Sequence, residues 1–504
     1  MFSRTPSSAR MSTWALSLLV LAGTAVRYFH GVSGQLWNGA PDQLAWGLSL
    51  EDLRVTGTLS YEQLMHYPHE GGSLFLGLLS WLFVPLAGLM PPLSWAALLV
   101  DTFARVVQIR VAQRLVDEST ARWFAAWTVF AAPVMLPWGT IDFGLHAAFS
   151  FVPFLLAVMV LDPQRSVMRI GLCGGLLASL AYDAWVFAPA FALLLLTADV
   201  ALKTRLRHLL TFALACALGF LPHLLLRLYA QDGFGLEDHG ALSIRGLEQD
   251  PINVGELPAK LWQVCTAALP ASFTLGAVAD PLVRALSIVV LALLLLGTWG
   301  IRRQWSAASS AMKALVYTAL VFLLIVVGAP FFQPRPEGSG YLYYRYFAFI
   351  APVVALLVFY GSAALGRVGR PTRMVWTSLC AILSVAYMVR MRPITTPNME
   401  ATGWVLARKY GDRPAVLMRI IQRAPMDHQH DLVYGAGWGL TAALFDGKNT
   451  RDTTAVNTFV QLWQAFPQAH HLQLERGVLR AFDPGITPAL DPALMPVLRE
   501  RMVP

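Results

Sequence analysis

The stretch PLVRALSIVVLALLLLGTWG, residues 281–300, carries a single charged side chain, Arg284. A predominantly apolar run of about 20 residues is long enough for a helix to cross the hydrocarbon core of a bilayer. Arg302 and Arg303 follow the run, and such basic residues mark the cytoplasmic ends of membrane helices. The stretch therefore predicts a transmembrane helix that ends in the cytoplasm.

Comparable runs recur along the chain, which is 56% hydrophobic and only 13% charged over 504 residues. Soluble globular proteins carry about 25% charged residues, so the composition predicts an all-α polytopic membrane protein. The formal net charge of +8 lies mostly in short loops, where it sets topology and gives no indication of nucleic-acid binding. We expect about eleven spanning helices, at 12–29, 94–114, 122–139, 144–161, 169–182, 185–201, 208–229, 281–300, 312–330, 345–363 and 373–390.

The charges of the loops predict which side of the membrane each loop faces. Lys and Arg gather in alternate loops, beginning before the first helix, whereas the loops at 30–72 and 230–280 are acidic on balance. The positive-inside rule then makes the N-terminus cytoplasmic and the C-terminus extracytoplasmic. This alternation holds only if the apolar segments 73–90 and 258–279 do not cross, so we predict that they are re-entrant or lie at the interface. We expect a multi-pass protein of the bacterial cytoplasmic (inner) membrane.

The chain divides into two predicted domains. Residues 1–390 form the membrane domain, with 30–92 as its first extracytoplasmic loop and juxtamembrane segments. Residues 391–504 are more polar and predict a small extracytoplasmic domain. Within it Glu400–Tyr410 has the pattern of a helix and Ala415–Ile421 (AVLMRII) that of a strand, so we expect an α/β fold. Three of the four cysteines lie inside apolar runs, which predicts no disulfide framework.

The first outer loop holds the polar residues of greatest chemical interest. It contains Pro41-Asp42-Gln43 and, before an apolar segment, His66-Tyr67-Pro68-His69-Glu70. A carboxylate just outside a bilayer can act as a general base toward an acceptor hydroxyl or amine, and Asp42 is the candidate. The alternative is that Asp42 caps a helix over Gln43–Leu50, a position that suits Asp well.

Several polar elements follow one another in an order that is similar to that of a known family. They are Asp42-Gln43, His66-Tyr67-Pro68, Leu136-Pro137-Trp138-Gly139-Thr140-Ile141-Asp142, and Tyr344-Arg345-Tyr346-Phe347 with Pro352. In their order and outer placement they resemble the GT-C-fold glycosyltransferases that use polyprenyl-phosphate sugars. That group includes the protein O-mannosyltransferases and the aminoarabinose transferases of lipid A. The likeness covers roughly residues 12–365.

The resemblance implies an inverting hexosyl- or pentosyltransferase. Its donor would be a polyprenyl-phosphate-linked sugar, and its acceptor a glycan, lipid or protein on the extracytoplasmic side. We expect no cofactor. The outer loops contain no Asp-x-Asp and the tail histidines lack zinc-like spacing, so no residue is assigned to a metal and metal dependence stays open.

The same resemblance implies roles for individual residues. Asp42 would activate the acceptor, Asp142 would position the partners of Asp42 or the acceptor, and cations near the donor phosphate would take up the developing negative charge. Two structural alternatives stay open: Asp142 as a helix cap, and Arg345 as a cation that reaches the interface from a helix end. The expected site consists of catalytic Asp42 and Asp142 and of substrate-binding Arg345, Arg335, His66, His69, Glu70 and Tyr344.

Other functions also remain open. A transporter or flippase commonly shows internal repeats with broken helices at the midplane, and no such repeat is apparent. An O-antigen-type polymerase or ligase also has many spans, but it usually concentrates its function in a late loop. An inactive scaffolding relative would keep the fold without the chemistry, and substitution of Asp42 would distinguish it from an enzyme.

The predicted topology has a direct test in cysteine labelling of intact cells. Positions near Arg205 and Arg370 should react only after the membrane is permeabilised, because both lie in basic loops. Positions near Asp238 and in the tail beyond residue 391 should react from outside. If Arg205 and Asp238 label from the same side, the charge-based topology is wrong.

Overall fold

Two compact units make up the chain in the computed structural model. The first unit consists of Met1–Gly34 and Tyr67–Arg392, and the second of Gln35–His66 and Pro393–Pro504. Every regular element in the described residues is a helix. The described residues are 12–57, 72–133, 135–141, 149–162, 166–229, 254–274, 281–328, 340–411, 413–445, 453–483 and 490–502.

Helices α2 and α17 to α22 belong to the second unit, and the other α-helices of the described residues belong to the first. In chain order the α-helices are α1 (Thr13–Gly34), α2 (Pro41–Thr56), α3 (Gly72–Ser80), α4 (Pro92–Leu115), α5 (Glu118–Phe130), α6 (Met135–Trp138), α7 (Val152–Leu161), α8 (Val167–Leu180), α9 (Phe187–Leu196), α10 (Leu202–Tyr229), α11 (Leu257–Gln263), α12 (Leu269–Ser272), α13 (Pro281–Arg303), α14 (Ser310–Gly328), α15 (Gly340–Ala363), α16 (Gly369–Arg390), α17 (Met399–Tyr410), α18 (Pro414–Ile421), α19 (Met426–Phe445), α20 (Thr453–Ala465), α21 (His471–Arg480) and α22 (Leu494–Met502).

Five helical segments of the described residues are long and apolar enough to cross a membrane. They are Thr13–Gly34, Leu202–Leu225, Ala285–Arg303, Ser310–Gly328 and Gly366–Arg390. Further apolar helices, among them α7 and α8, are shorter. This agrees with the predicted all-helical membrane protein, and the crossings assigned to the shorter helices stay predictions.

The outer surface of α10 has the character of a lipid-facing helix. Leucines at every fourth position expose between 53% and 66% of their surface: Leu202, Leu206, Leu210, Leu214 and Leu218. A continuous apolar stripe of this kind is unfavourable in water but well accommodated by lipid chains. On another face of α10, Gly219 lies so close to α8 that a Cβ would overlap the carbonyl oxygen of Leu172. Small residues at close helix contacts are characteristic of membrane proteins.

Helix α15 forms the interior of the first unit. Its side chains are buried on every face from Phe347 to Phe359, as expected for a helix that is apolar all round. The neighbouring α13 approaches it closely through glycines: a Cβ at Gly300 would overlap the carbonyl oxygen of Gly361. The backbone positions of Tyr344 and Arg345 come just before the buried part of this helix.

The two apolar segments predicted not to cross contain only short helical pieces. Within 73–90, the nine-residue α3 is followed by a 3-10 stretch over Trp81–Leu86 with Pro85 inside it. At about 1.5 Å per residue, α3 alone is too short for a bilayer of about 30 Å. Within 258–279, α11 and α12 flank a π-helical turn at Val264–Ala268. Their interfacial placement stays a prediction.

The second unit is helical throughout its described residues, so the predicted α/β fold of residues 391–504 is wrong there. The predicted strand Ala415–Ile421 lies in α18 instead. Pro414 occupies the first helical position, where its missing N–H costs no hydrogen bond. Leu417 and Ile421, one turn apart, are both buried. A seven-residue apolar run does not distinguish a strand from a buried helix, and here the pattern of burial follows the helix.

A segment of the first loop belongs to this second unit. The backbone N–H of Asn398 donates to the carbonyl of Asn38 (2.9 Å), and the Nδ2 amide of Asn38 donates to the carbonyl of Ile394 (2.7 Å). Two segments of one folded unit lie on the same side of any membrane that the chain spans. The number of crossings between residues 67 and 392 is therefore even. The predicted topology meets this requirement, whereas one additional crossing by 73–90 would violate it.

Glycines determine how the helices of the second unit pack. Helix α17, which the sequence predicted over Glu400–Tyr410, contacts one side of α19 at Gly435, where a Cβ would overlap the carbonyl oxygen of Glu400. Helix α21 contacts α19 at Gly437, where a Cβ would overlap the carbonyl oxygen of Leu474. Because the two glycines are two residues apart in a helix, they point to different faces. Helix α19 therefore lies between α17 and α21.

Replacing Gly435 by alanine should destabilise the second unit by roughly 2 kcal/mol, since overpacking outweighs the better helix propensity of alanine. The matched control is Gly47→Ala in α2, because no atom lies within 4 Å of a Cβ placed there. That change should be neutral or stabilise by up to about 1 kcal/mol. Thermal unfolding of the full chain in detergent, followed by circular dichroism, measures both variants, and equal midpoints would contradict the packing.

Candidate functional site

Asp42, the predicted base, lies in the first turn of α2 in the second unit and is half-buried. The helix begins at Pro41, and its N-cap residue Ala40 makes no side-chain cap bond. The structure therefore corrects the capping alternative, which assumed a helix beginning at Gln43. Asp42 stands inside the first turn, where the positive end of the helix dipole stabilises a carboxylate.

The other predicted site residues are only partly described. The backbone of Tyr344 and Arg345 lies in the N-terminal part of α15, in the first unit. Outside the described residues lie Asp142, Arg335, His66, His69 and Glu70. The predicted convergence of Asp42, Asp142 and Arg345 in one layer therefore stays a prediction.

A fully buried carboxylate anchors α2 in the second unit. Asp52 has no exposed surface, and its oxygens accept hydrogen bonds from Nε of Arg419 (2.9 and 3.1 Å) and from Nε of Arg423 (3.0 Å). Removing a carboxylate from water without a cation is strongly unfavourable, so the two guanidinium groups make its burial possible. This contact determines which face of α2 packs against the C-terminal helices.

The same face of α2 carries the other contacts with those helices. Ala45 and Trp46 are buried, and the hydroxyl of Tyr410 lies 3.0 Å from that of Ser49. Burial raises the pKa of the Tyr410 hydroxyl, so it stays protonated over the physiological range. Ala45, Ser49 and Asp52 follow the helical spacing of four and three residues. This spacing was the signal that sequence reasoning missed: a carboxylate on the apolar face of a helix requires a cation beside it.

The first unit holds a second group of buried charges. Asp101 and Arg105 lie one turn apart on α4, and Nε of Arg105 donates to Oδ2 of Asp101 (2.9 Å). Nε of Arg27 lies equally close to the same oxygen, although its N–H does not point at it, so that contact is ionic. All three residues are at least 96% buried. The cluster has a formal charge of +1.

Hydroxyl and carbonyl groups complete the cluster around Arg105. Its Nη2 donates to the hydroxyls of Thr24 (2.9 Å) and Thr102 (3.0 Å), and its Nη1 donates to the carbonyl of Val20 (3.1 Å). A Cβ at Gly23 would overlap the guanidinium, so glycine there makes room for it. The bonds of Arg105 to Val20 and Thr24 join α4 to α1, and the hydroxyls of Thr24 and Thr102 lie 3.0 Å apart.

Arg27 donates hydrogen bonds to backbone carbonyls at the end of α5. The predicted span 122–139 is interrupted because α5 ends at Phe130 and Ala131 has a φ of 52°. The last carbonyls of a helix lack intrahelical donors. Arg27 supplies them through Nη1 to Val129 (3.0 Å) and through Nη2 to Thr128 (3.4 Å). The first span was expected over 12–29, but α1 continues to Gly34, so Arg27 lies inside the helix.

His30 is a further buried polar residue that sequence reasoning missed. Its side chain has no exposed surface, and both ring nitrogens lack a hydrogen-bond partner among the described residues. Its ring centroid lies 5.3 Å from that of Tyr387. One residue further, Gly31 leaves room for Thr140, whose hydroxyl would lie 2.8 Å from a Cβ at Gly31. Thr140 is two residues before Asp142, so the chain approaches this end of α1 just before the predicted acidic residue.

These groups differ in what they can do chemically. Both Nη groups of Arg27 and all three nitrogens of Arg105 donate hydrogen bonds within the protein, so this cluster serves structure. His30 can still donate and accept one hydrogen bond each. Within the described residues, no three or more His, Cys, Asp or Glu side chains are grouped so that they could hold a metal ion.

Comparison with models of protein families, with curated proteins and with solved structures finds no match to this chain. The assignment to a function therefore depends on the residues of the chain itself.

Charge balance predicts an order of stability for two variants of the first unit. Asp101→Asn raises the formal charge of the buried cluster from +1 to +2, and an uncompensated buried charge costs about 3–5 kcal/mol. Arg105→Gln lowers the charge to zero and leaves Asp101 with Arg27. The folded fraction after detergent extraction, measured by size-exclusion chromatography, should be clearly lower for Asp101→Asn. Equal fractions would show that charge balance does not control this cluster.

Proposed function

We propose that this chain is a membrane glycosyltransferase that moves a sugar from a polyprenyl-phosphate donor to an acceptor on the extracytoplasmic side. The observation that carries the proposal is the order of polar elements: Asp42 in the first loop, Asp142 after an early span and Arg345 at the start of a late span. This order resembles that of the GT-C-fold glycosyltransferases.

Two features of the structure support this proposal. The chain has several helices that are apolar and long enough for a membrane, as a lipid-linked donor requires. Asp42 stands on a 16-residue helix whose buried face is anchored by Asp52. A catalytic group on an anchored helix is held more precisely than one on a loop, which favours general-base catalysis.

The proposed reaction is a single displacement at the anomeric carbon. Asp42 removes the proton from the acceptor hydroxyl or amine, the acceptor forms the new glycosidic bond, and the bond to the phosphate oxygen breaks. Arg345 and Arg335 stabilise the released lipid phosphate, with His66 and His69 as further donors. In this mechanism Asp142 positions the acceptor, and Glu70 and Tyr344 contact the sugar. A single displacement inverts the configuration of the sugar.

One observation bears on transport as the alternative. Broken helices occur at the substrate sites of many transporters, and α5 and α6 form such a break. Here, however, the carbonyls of Thr128 and Val129 already accept hydrogen bonds from Arg27. The break therefore offers no unoccupied carbonyls at these positions, which favours the transferase.

The decisive variant is Asp42→Asn, which keeps the shape of the side chain and removes the base. Cells that lack the gene should be complemented with the wild-type or variant chain, and their envelope glycans and glycolipids profiled by mass spectrometry. Loss of a general base should lower product formation by about 100-fold or more.

The matched control is Asp483→Asn, which removes a half-exposed carboxylate that pairs with Arg480 in the second unit. This control should restore the glycan profile at equal protein level in the membrane. Full complementation by Asp42→Asn would exclude Asp42 as the base and count against the transferase mechanism.

A further inference from the structure

The two guanidinium groups on Asp52 are only partly used. Arg419 and Arg423 each donate Nε–H to Asp52, and neither makes a hydrogen bond through Nη1 or Nη2 among the described residues. A guanidinium has five N–H donors, four of them on the Nη nitrogens. Among the described residues, the two side chains together therefore offer eight N–H donors that have no acceptor.

These donors are held in place and reachable. Because Asp52 is fully buried and binds both Nε atoms, the two arginines cannot rotate freely. The Arg419 side chain is 37% exposed and that of Arg423 is 25% exposed. A ligand at the Nη groups therefore does not have to order two flexible side chains, and the entropic cost of binding is lower.

The charge around the pair favours an anion. One buried carboxylate opposes two guanidinium groups, so the group has a formal charge of +1. A further carboxylate that feels the charge of Arg423, that of Glu51, pairs with Arg54 through two hydrogen bonds of 2.6 and 2.8 Å. These bonds, with smaller contributions from the charges of Arg54 and Arg423, lower the pKa of Glu51. Glu51 and Arg54 neutralise each other and leave the excess positive charge at Arg419 and Arg423.

We propose that Arg419 and Arg423 form a binding site for a phosphodiester group in the second unit. Guanidinium groups bind phosphate oxygens through paired N–H donors, and two neighbouring arginines suit two phosphate oxygens. A diester carries one negative charge, which balances the +1 of the group, whereas a divalent monoester would exceed it. This site is separate from the proposed catalytic residues and does not depend on the transferase activity.

Two sources supply a phosphodiester: the headgroups of membrane lipids and soluble diesters. The two segments of the second unit begin at Gln35, directly after α1, and at Pro393, shortly after α16. Both α1 and α16 are long and apolar enough to cross a membrane. Chemical modification of the wild-type chain by phenylglyoxal, which reacts with arginine, distinguishes the two sources. Peptide mass spectrometry measures modification at Arg419, Arg423 and, as a reference, the half-exposed Arg480.

The soluble probe is dimethyl phosphate, added at millimolar concentration to the chain in a phosphate-free detergent. The lipid probe is a nanodisc of phosphatidylglycerol, compared with one of a phosphate-free galactolipid. Modification of Arg419 and Arg423 should fall at least threefold with one of the probes, while that of Arg480 stays unchanged. Protection by either probe supports the site and shows whether its phosphodiester is soluble or belongs to a lipid headgroup. Absence of protection by both probes would overturn the proposal.

A variant provides an independent measurement. Arg423→Gln leaves Arg419 with its two contacts to Asp52, so the anchor of α2 is kept while the formal charge of the group falls to zero. Binding of the protecting probe should weaken by about tenfold or more, as expected for lost charge-assisted hydrogen bonds. The control Arg480→Gln removes the same charge elsewhere in the unit and should bind as the wild type does. If both variants weaken binding equally, the probe responds only to the net charge of the protein, and the proposed site is wrong.

Discussion

The burial of one carboxylate, that of Asp52, links the two ends of this chain. A carboxylate removed from water needs cations, and these come from Arg419 and Arg423, 367 and 371 residues further along the chain. The contact makes the first loop and the tail parts of one folded unit. It also places them on the same side of the membrane, which restricts everything between them to an even number of crossings. The ion pairs of one buried side chain thus restrict the number of times that the chain can cross a membrane.

The first unit also buries a carboxylate between two arginines, and there the arginines are buried as well. Asp101 is shared by Arg27 and Arg105, and the remaining donors of both arginines meet backbone carbonyls and threonine hydroxyls. One of these arginines also completes the end of α5, whose helix stops within an apolar stretch. Broken backbone at membrane depth is tolerated only where other groups satisfy it. Here Arg27 donates to the carbonyls at the end of α5, and because Arg27 is buried it needs the charge of Asp101 beside it.

Close backbone contacts give both units their remaining rigidity. Glycines allow α8 and α10, or α17 and α19, to approach until a methyl group would not fit between them. Such packing gains dispersion energy without long side chains that would have to be ordered. In the second unit this rigidity extends through α2 to Asp42, so the proposed base stands on a support that does not depend on a loop. For the proposed displacement, which needs the reacting groups in a narrow range of positions, that support is an advantage.

The sequence by itself determined the class of the protein and the location of most helices. Long apolar runs such as 281–300 leave little choice but a helix, because only a helix satisfies its own backbone within lipid. A short run such as Ala415–Ile421 carries no such constraint, and it formed a helix because its tertiary neighbours cover one helical face. In the sequence Asp42 stands out as a candidate base, and the spacing of Asp101 and Arg105, one helical turn apart, is enough to place them on one helix face. Only the tertiary structure decided that Arg27 joins that pair and that Asp52 meets Arg419 and Arg423. Partners of a buried charge are chosen by packing between distant segments, and local spacing holds no information about them.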